Sequence, residues 1–576
     1  MPVHNAEIAE LFYEYADLLE IEGANPFRVR AYRNAARTIS NLSRNVAEMV
    51  HKGEDLSQLP GLGKDLARKV EDIVNTGKLS QLVELKKRLP PELIDITKLA
   101  GLGPKRAGTL YKELGITSIK QLEEAAKHRK IRELPGFAAK MEQKILEEVT
   151  RKGTTQTDKK RFKLSVIEGL AHPLIEYLKK VDGVKNVEVA GSYRRKKETI
   201  GDLDILVTHT RGSEIMKRFL EYEDVQRVIS RGETRSTVEL RFGIQVDVRA
   251  VPDESYGAAL HYFTGSQAHN IAIRKRGVKK GLKINEYGVF ENEKRIAGKT
   301  EEEVYASVDL PFIEPELREN NGEIESAQAG SLPYLITLDI LKGDLHAHTK
   351  ATDGRSTMEE MALAAREKGY EYLAITDHSK HMSVAKGFDT RRLEEQIDEI
   401  DQLNEKMDGI TLLKGIEVDI LEDGSLDLPQ YVLKKLDLVV CAIHSKFNLP
   451  AEKQAERIKK AMENRFFTIL AHPTGRLIGE RDPYDVDMEK VMEAAKDTGS
   501  ILELNAQPER LDINETHAKM AKEMNVLVAI STDAHSTNEF EFMRYGVYQA
   551  RRGWLESDDV VNTRSLKELK KLIGKK

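Results

Sequence analysis

Cysteine is nearly absent from this chain, which has 576 residues and a single cysteine, Cys441. One thiol excludes an internal disulfide and zinc sites built from several thiolates, and it agrees with a reducing compartment. Cys441 lies in the apolar segment LDLVVCAIH, where we expect a buried, inert side chain. No apolar run reaches the ~18 residues of a membrane-spanning helix, and the N-terminus lacks a charged-then-apolar export signal. The sequence therefore predicts a cytoplasmic protein with no membrane span.

Aromatic residues are also scarce, at 6% of the chain, and the net charge of −5 shows no overall basic excess. Net charge alone therefore does not indicate nucleic-acid binding. Local charge does, because arginines cluster in FRVRAYRNAAR (27–37) and the stretch 151–163 is basic. The chain is too long for one hydrophobic core, so we expect about three or four domains.

The first 150 residues predict helices, because apolar residues recur at helical spacing between Gly and Pro breakers. Three segments share an apolar–Pro/Ala–Gly–apolar start followed by a helix: LPGLGKDLARKV (59–70), LAGLGPKRAGTLY (99–111) and LPGFAAKMEQKIL (134–146). A glycine turn before a helix exposes backbone N–H groups that can hold a DNA phosphate without reading bases. The predicted DNA contacts are Gly61, Gly63, Gly101 and Gly103. The third copy has Ala138 in place of the second glycine and is equally consistent with a structural joint.

From about residue 165 the chain changes to alternating strands and helices. In GDLDILV (201–207), Asp202 and Asp204 are two residues apart in an apolar strand, so both carboxylates point to one face. IQVDVRAV supplies a third strand carboxylate, Asp247. Three such carboxylates suit two Mg²⁺ or Mn²⁺ ions and in-line phosphoryl transfer.

A D-x-D motif on its own usually lies in a surface turn with solvated acids. The residues upstream of Asp202 and Asp204 distinguish this pair from such a turn. Gly191 and Ser192 follow a predicted strand and can donate hydrogen bonds to a triphosphate. Arg194 and Arg195 come next, and one of them can neutralise the negative charge that develops on the phosphates during phosphoryl transfer.

The C-terminal third places polar residues at the ends of seven successive apolar runs. Together with Asp353, just beyond the first run, eight of them form the predicted ligand set of nine: His346, His348, Asp353, His378, Glu417, His444, His472, Asp533 and His535. In a β/α barrel the carboxyl ends of the strands converge on one mouth, so seven runs predict a seven-unit barrel. Nine imidazole and carboxylate ligands exceed the set of about three that one catalytic zinc needs. They favour two or three ions of Zn²⁺, Mn²⁺ or Fe.

The motifs GSYRR-x5-GDLD, VDV and YFTGSQAHNIAIR together resemble the palm and thumb of X-family DNA polymerases. The resemblance implies that Asp202, Asp204 and Asp247 hold the two metal ions, and that Asp247 helps to deprotonate the primer 3′-hydroxyl. It also implies that Ser192 and Arg195, beside Gly191, hold the β/γ-phosphates, that Tyr262, Phe263, Thr264 and Gly265 pack on the sugar, that Asn270 contacts the base, and that Arg274 contacts the template strand.

Two positions depart from that pattern. Gln245 stands where the animal repair enzymes of the family usually have an arginine, and Gln267 replaces an acidic residue often found after YFTGS. We expect these differences to affect the fine tuning of catalysis and not its presence.

The segment NPFRVRAYRNAA (25–36) resembles the small DNA-end-binding domain of the same family. In its lyase-competent members, a lysine of the hairpin helix forms a Schiff base with an abasic sugar, and Lys69 falls at that position. Such a nucleophile needs a depressed pKa, which the neighbouring cations Lys64 and Arg68 would supply. The alternative is a solvated helix lysine that contacts phosphate.

The motifs DLHAHT, TDH, IH, AHP and DAH together resemble the polymerase-and-histidinol-phosphatase (PHP) domain over about residues 340–570. This resemblance implies that the nine residues above are the metal ligands of a phosphoesterase, with Lys386 and Arg476 as candidate phosphate contacts. It leaves 3′–5′ exonuclease, abasic-site incision and 3′-phosphatase open, because all three need the same metals.

The predicted fold is multidomain α and α/β, with an all-α helix–hairpin–helix N-terminal region, a nucleotidyltransferase palm and thumb, and a C-terminal distorted (β/α)7 barrel. The predicted boundaries are a DNA-end-binding domain 1–85, a fingers-type domain 86–155, a palm 156–255, a thumb 256–318, a linker 319–337 and a PHP domain 338–576. We expect a monomeric DNA repair enzyme of the base-excision type that fills short gaps in gapped or nicked DNA from deoxynucleoside triphosphates. The alternatives are a DNA-tethered phosphoesterase with a vestigial polymerase core and a non-catalytic DNA-end scaffold.

Overall fold

The computed structural model describes residues 5–41, 46–59, 61–90, 92–97, 99, 102–134, 136–138, 141–143, 145–146, 149 and 161–574. The chain divides into two compact units, Met1–Glu188 with Gly201–Ala250, and Val189–Ile200 with Val251–Lys576. Among the described residues, no helix is both long enough and apolar enough to cross a membrane. Gly101, part of the third hairpin segment and the basic stretch 151–160 lie outside the described residues.

The N-terminal part of the first unit is helical, as predicted. Its helices are Asn5–Glu22, Pro26–Asn41, Val46–His51, Lys64–Thr76, Ser80–Arg88, Leu93–Thr97, Pro104–Leu114 and Ile119–Lys127. Their apolar stripes meet in one core, which includes the buried Phe12, Val70 and Leu110. Gly77 and Gly115 end two helices with φ of 69° and 63°, a left-handed conformation that glycine adopts without strain.

The rest of the first unit is built around a five-stranded sheet. The strands along the chain from residue 162 to 250 are β1 (Phe162–Lys163), β2 (Val184–Val189), β3 (Thr199–Ile200, in the second unit), β4 (Asp202–His209), β5 (Val225–Ser230), β6 (Arg235–Leu240) and β7 (Gln245–Ala250). The sheet has the order β2-β4-β7-β6-β5, with β4 parallel to β7 and with β6 antiparallel to both β7 and β5. Helices Leu164–Lys179 and Ile215–Leu220 accompany it.

The second unit begins with a short palm segment and the thumb region. Its helices up to residue 329 are Gly191–Arg194, Tyr256–Thr264, Gln267–Lys279, Glu301–Ser307 and Glu323–Ala329. An antiparallel sheet contains β8 (Leu282–Asn285), β9 (Gly288–Glu291) and β10 (Lys294–Ala297).

The stretch 319–337, predicted to be a linker without periodicity, contains the helix Glu323–Ala329. This helix has only seven residues, about two turns, and lies between Gly322 and Gly330. It is therefore too short to show a helical repeat of apolar residues in the sequence. Glu323 is buried and bonds to the ring of His269 at 2.6 Å, so the segment packs into the thumb region.

The C-terminal region confirms the predicted barrel of parallel strands. They are β11 (Gly343–Ala347), β12 (Tyr372–Ile375), β13 (Thr411–Lys414), β14 (Glu417–Asp419), β15 (Val440–Ala442), β16 (Ile469–Leu470), β17 (Ile501–Asn505) and β18 (Val528–Ser531). Only two residues separate β13 from β14, so these eight segments form seven strands. Parallel bridges Ala347↔Ala534 and His378↔Glu417 join the two sheets of the barrel.

Helices follow most of the barrel strands, as expected for β/α units. They are Met358–Glu367, Thr390–Lys406, Gln430–Leu433, Ala451–Met462, Met488–Thr498, Glu515–Glu523, Met543–Arg552 and Leu566–Ile573. Cys441 is buried in β15, in the core where we expected an inert thiol.

Candidate active sites

The three predicted palm carboxylates lie on neighbouring strands of the five-stranded sheet. Asp202 and Asp204 are on β4, and the parallel register with β7 places Asp204 beside Asp247. Residues two apart on a strand face the same side, so the three carboxylates share one face. Burial and the charges of Asp202 and Asp247 raise the pKa of Asp204 to about 6. The structure thus brings together three repelling carboxylates, an arrangement that fits hard divalent cations.

Asp247 is held by three side chains from its own strand and from β6. Thr237 donates to Oδ1 at 2.6 Å, Arg235 donates to the same oxygen at 2.9 and 3.1 Å, and Gln245 donates to Oδ2 at 2.9 Å. Burial raises the pKa of Asp247, but hydrogen bonds from Thr237, Gln245 and Arg235 outweigh burial and keep the pKa below its usual value. Asp247 is therefore ionised at neutral pH.

Arg235 is a residue that sequence reasoning missed. It lies on β6, two residues before Thr237, which pairs in register with Asp247. The chain has Gln245 where the animal repair enzymes that it resembles usually have an arginine, and here the cation comes from the antiparallel neighbour instead. Only the pairing of β6 with β7, which no local motif announces, could have identified it.

The two arginines of the GSYRR segment have different partners in the second unit. Arg194 donates to both oxygens of Glu301, at 2.6 and 2.9 Å, and so forms a bidentate ion pair. Arg195 donates to Glu319 at 2.9 Å and to the backbone oxygen of Thr264 at 2.7 Å. Both guanidinium groups therefore have acceptors within the protein, and the bidentate pair holds Arg194 at two of its nitrogens.

Gly191 and Ser192 form the turn that precedes these arginines. Gly191 has a φ of 63° and begins the helix Gly191–Arg194, and Ser192 is half-buried. The left-handed backbone at this position favours glycine.

The predicted sugar and base contacts form one cluster at the start of the thumb region. Asn270 Nδ2 donates to the backbone oxygens of Tyr262, at 2.6 Å, and Gly265, at 3.1 Å. A Cβ at position 265 would lie 2.7 Å from Asn270 Oδ1, so the close approach requires glycine. The ring of Phe263 contacts that of Tyr262, and Arg274 lies over the Tyr262 ring, 5.9 Å from its centre.

The described hairpin glycines stand at helix N-termini in the first unit. Gly63 and Gly103 cap the helices Lys64–Thr76 and Pro104–Leu114, and among the described residues no atom lies within 4 Å of a Cβ built at either position. Gly61 turns the chain with a φ of 75°. These open helix starts have the geometry of a phosphate site.

Lys69, the possible Schiff-base lysine, has a raised pKa rather than the depressed pKa that such a nucleophile needs. Lys69 forms an ion pair with Asp65, one turn earlier on its helix, and lies over the Tyr32 ring, 5.4 Å from its centre. Burial lowers the pKa of Lys69, but the bonds to Asp65 and Tyr32 outweigh it, so the pKa is raised. Lys69 shares a cavity of about 650 Å³ with Arg28 and Lys64. A protonated lysine there favours a phosphate contact over a Schiff base.

In the barrel, Glu417 lies at the centre of the histidine cluster and is almost fully buried. The shortest distances from its carboxylate are 2.8 Å to His378 Nδ1, 3.6 Å to His346 Nε2, 3.6 Å to His348 Nε2, 3.3 Å to His444 Nε2 and 3.0 Å to His472 Nε2. One carboxylate thus contacts five of the six predicted histidines.

Two aspartates complete the cluster. Asp533 Oδ1 lies 3.1 Å from His348 Nε2, and Asp353 Oδ2 lies 3.2 Å from His378 Nε2 and 3.4 Å from His535 Nε2. All nine predicted ligands are therefore brought together at one end of the barrel strands.

The cluster fits divalent cations. Eight of the nine predicted ligands fall into three groups whose ligand atoms lie within 4.8 Å of one another: His348, Asp353, His378 and His535; His346, His348 and Asp533; and His378, Glu417 and His444. The ninth, His472, contacts this cluster through Glu417 at 3.0 Å. His378 Nδ1 and Glu417 Oε2 are buried and lie 2.8 Å apart, yet neither has a hydrogen-bond partner in the described part of the chain. Burial lowers the pKa of His378, but Glu417 and Asp353 outweigh it and raise the pKa well above its usual value. The carboxylates therefore stabilise positive charge here, as a bound cation would require.

Two further carboxylates orient the ligands, and they were not predicted as site residues. Glu503 Oε1 lies 2.6 Å from His346 Nδ1, and Asp419 Oδ1 lies 3.2 Å from His444 Nδ1. Such partners fix the tautomer and the ring orientation of a metal-binding histidine. Asp419 is two residues after Glu417 on β14, a spacing that could have indicated its shared face.

Arg476 is engaged within the protein rather than presented to a phosphate. Its guanidinium donates to Glu198 at 2.6 Å and to the backbone oxygens of Arg510 and Leu511. Lys386, the other candidate phosphate contact, is exposed.

Together, the palm, the thumb and the histidine-lined barrel define a DNA polymerase of the X family that carries a PHP domain. Family models match a helix-hairpin-helix domain at residues 3–79, a SAM-like helix-hairpin-helix tandem at 93–151, a DNA polymerase beta palm at 166–246, a DNA polymerase beta thumb at 259–319 and a PHP domain at 344–507.

A relative of nearly the same length places the chain in this family. The DNA polymerase/3′-5′ exonuclease PolX of Bacillus subtilis (strain 168) is 39% identical over 575 residues, 99% of each chain. DNA polymerase lambda of Arabidopsis thaliana is 26% identical over 354 residues, 55% of this chain and 62% of the relative. A probable phosphatase of Thermoanaerobacter sp. (strain X514) is 33% identical over 248 residues, 40% of this chain and 96% of the relative. The chain belongs to the PHP-bearing X-family DNA polymerases.

Proposed function

We propose that this protein is a repair-type DNA polymerase that fills short gaps and removes nucleotides from 3′ ends with its PHP barrel. The observation that carries the proposal is the presence in one chain of two clusters of side chains that suit cations. One has three carboxylates on the palm sheet, and the other has six histidines and three carboxylates in the barrel. The proposed domains are those expected from the sequence, except that residues 319–337 are part of the thumb region.

In nucleotide insertion, the palm carboxylates would hold two Mg²⁺ or Mn²⁺ ions. When bound, these ions neutralise the charge that develops on the triphosphate. Asp247, whose pKa is kept low, would accept the proton of the primer 3′-hydroxyl. Arg195 and Ser192, with the backbone of Gly191, would hold the β- and γ-phosphates.

The thumb cluster would select the sugar and the base. Asn270 fixes the backbone between Tyr262 and Gly265. This backbone would exclude a ribonucleotide because its 2′-hydroxyl would clash with it. The Oδ1 of Asn270 is buried and has no hydrogen-bond partner among the described residues, which leaves an acceptor for the nucleotide. Arg274 would contact the template strand.

The N-terminal hairpins would hold the DNA on either side of a gap or nick. Gly63 and Gly103 would present open helix starts to backbone phosphates, and Gly61 forms the turn before the first of them. Lys69 would add a charged phosphate contact, consistent with its raised pKa. We propose that the protein acts as a monomer in the cytoplasm.

In the barrel, the nine ligands would hold two or three ions of Zn²⁺, Mn²⁺ or Fe. When bound, these ions supply Lewis-acid chemistry to the scissile phosphodiester. Glu503 and Asp419 keep the rings of His346 and His444 oriented. Among the possible phosphoesterase reactions, 3′–5′ exonuclease is favoured because the full-length Bacillus subtilis relative is a DNA polymerase/3′-5′ exonuclease.

The test compares primer extension and 3′-end digestion by three variants of the full chain. We expect Asp202→Ala/Asp204→Ala to abolish extension and to keep digestion, and His346→Ala to do the reverse. Asp309→Ala, at an exposed carboxylate paired with Lys280, serves as the control and should retain both. Equal extension by the wild type and the double variant would show that the palm assignment is wrong. Digestion that survives His346→Ala would contradict the barrel assignment.

A further inference from the structure

The segment that carries the proposed triphosphate contacts is joined to the PHP barrel. Residues Val189–Ile200, which include Arg195, belong to the same compact unit as Val251–Lys576, while the carboxylate strands β4 and β7 belong to the other. Barrel residues that contact this segment can therefore fix the position of the proposed triphosphate contacts.

Arg552 makes the most deeply buried of these contacts. It ends the barrel helix Met543–Arg552, and its side chain is 1% exposed. Its guanidinium donates to the backbone oxygen of Arg195 at 2.8 Å, to Glu319 Oε1 at 3.2 Å and to Glu515 Oε1 at 2.8 Å. A planar guanidinium with several acceptors in fixed directions holds them in one geometry.

Glu319 connects Arg552 to the side chain of Arg195. Its Oε1 accepts from Arg195 Nε at 2.9 Å and also from Arg552. Burial raises the pKa of Glu319, but Arg195 and Arg552 outweigh it and lower the pKa, so this carboxylate is ionised between the two guanidinium groups. Arg195 is thus held at its backbone by the barrel residue Arg552 and at its guanidinium by Glu319, which Arg552 also contacts.

We infer that Arg552 of the PHP barrel is a positioning residue for nucleotide insertion, because it fixes the backbone and, through Glu319, the side chain of Arg195. The inference rests on the proposed role of Arg195 as a triphosphate contact. A phosphate-binding arginine held in one orientation loses less conformational freedom when the nucleotide arrives. The PHP barrel then contributes to polymerisation without taking part in its chemistry.

Arg551, the preceding residue of the same helix, provides a matched control. It is largely buried and donates to Glu316 at 2.7 Å and to the backbone oxygen of Ile336 at 3.2 Å. Glu316 and Ile336 both lie outside the segment 189–200, so Arg551 does not fix that segment. Arg551→Gln therefore removes a comparable buried cation from the same helix and leaves the contacts of Arg195 intact.

The experiment measures steady-state gap filling by the full chain with a single deoxynucleoside triphosphate, and 3′-end digestion by the same preparations. For Arg552→Gln we expect the KM for the nucleotide to rise about tenfold, equivalent to about 1.4 kcal/mol, while kcat changes less than about threefold. Digestion should stay within about threefold of the wild type, which shows that the barrel is folded. Arg552→Lys, which keeps the charge, should recover part of the loss.

A double-variant comparison separates this inference from the function on which it rests. If Arg552 acts through Arg195, Arg195→Gln/Arg552→Gln has a KM no higher than that of Arg195→Gln alone. If Arg195→Gln leaves the KM unchanged, the proposed role of Arg195 and the inference both fail. If Arg195→Gln raises the KM but Arg552→Gln does not, only the inference fails.

Two other results bear on the inference. A KM that rises equally in Arg551→Gln and Arg552→Gln, or a parallel loss of digestion, would overturn it, because either result indicates a general loss of structure.

Should Arg552→Gln fail to fold, Glu515→Gln provides a second test, because Glu515 accepts a hydrogen bond from the Arg552 guanidinium. It weakens the hold on Arg552, and we expect a KM about threefold above that of the wild type. An unchanged KM in Glu515→Gln together with an unchanged KM in Arg552→Lys would overturn the inference.

Discussion

The palm and the barrel both gather negative oxygens for divalent cations, but they do so with different ligand atoms and different surroundings. The palm has three carboxylates on a sheet, of which Asp204 has a pKa raised to about 6 and Asp247 has a depressed pKa. The barrel has six imidazoles and three carboxylates, with Glu503 and Asp419 behind two of the rings.

The difference indicates two ways of using metal ions. An oxygen-only site binds hard ions such as Mg²⁺, which keep several waters and arrive with substrate phosphates. A buried site rich in imidazole, with oriented rings, suits Zn²⁺, Mn²⁺ or Fe as resident ions. We therefore expect the polymerase to depend on exchangeable ions and the nuclease on retained ones.

The largest expected effect separates the palm from the barrel at Asp204. Asp204→Asn removes a charge from the centre of the palm site and keeps its shape, so extension should fall by about three orders of magnitude. Digestion should not change. Single-turnover extension measures the loss, and Glu239→Gln, on β6 of the same sheet and paired with Arg227, is the control. If Asp204→Asn extends primers at a rate within tenfold of the wild type, the assignment of extension to the palm carboxylates is wrong.

A smaller effect is expected at the centre of the barrel. Glu417→Gln removes the carboxylate shared by five histidines, so digestion should fall more than about 100-fold and the metal content of the purified protein should drop. Elemental analysis and digestion assays measure both, and extension should persist. A variant that kept its full metal content would show that Glu417 does not hold the ions.

The orienting carboxylates should matter less than the ligands. Glu503→Gln leaves all nine ligands in place but weakens the support of the His346 ring, so we expect a loss of about 10–100-fold in digestion or in metal affinity. Competition with a chelator measures the affinity. An effect as large as that of Glu417→Gln would mean that Glu503 is itself a ligand.

The smallest effect concerns the cation that supports the palm. Arg235→Gln removes one of the groups that lower the pKa of Asp247, so that pKa should rise and the acidic limb of the extension pH profile should move to higher pH. Near neutral pH the loss should be within about tenfold. Arg227→Gln, on the adjacent strand β5, is the control. A limb that stays in place or moves to lower pH would contradict the role of Arg235.

Much of both sites could be predicted because their ligands follow strand periodicity. Asp202 and Asp204 share a face by their spacing, and the barrel ligands stand at the ends of apolar runs. The predicted seven-unit barrel is confirmed, although Gly415 and Ile416 divide one of its strands into β13 and β14.

The rest depended on contacts between distant segments. Arg235 reaches Asp247 only because β6 pairs with β7, and Arg552 reaches Arg195 across 357 positions of the chain. The pKa of Lys69 is raised because its contacts with Asp65 and with Tyr32, which lies on another helix, outweigh burial. Such partners are set by packing, which composition and spacing do not encode locally.

The central claim is that one chain holds an exchangeable oxygen-only metal site and a retained imidazole-rich one. Its most direct test is to treat the wild-type protein with a chelator until both activities are lost, and then to add ions back one at a time. We predict that Mg²⁺ alone restores gap filling but not digestion, and that digestion returns only with Mn²⁺, Zn²⁺ or Fe²⁺. Recovery of both activities together with Mg²⁺ alone would contradict the account.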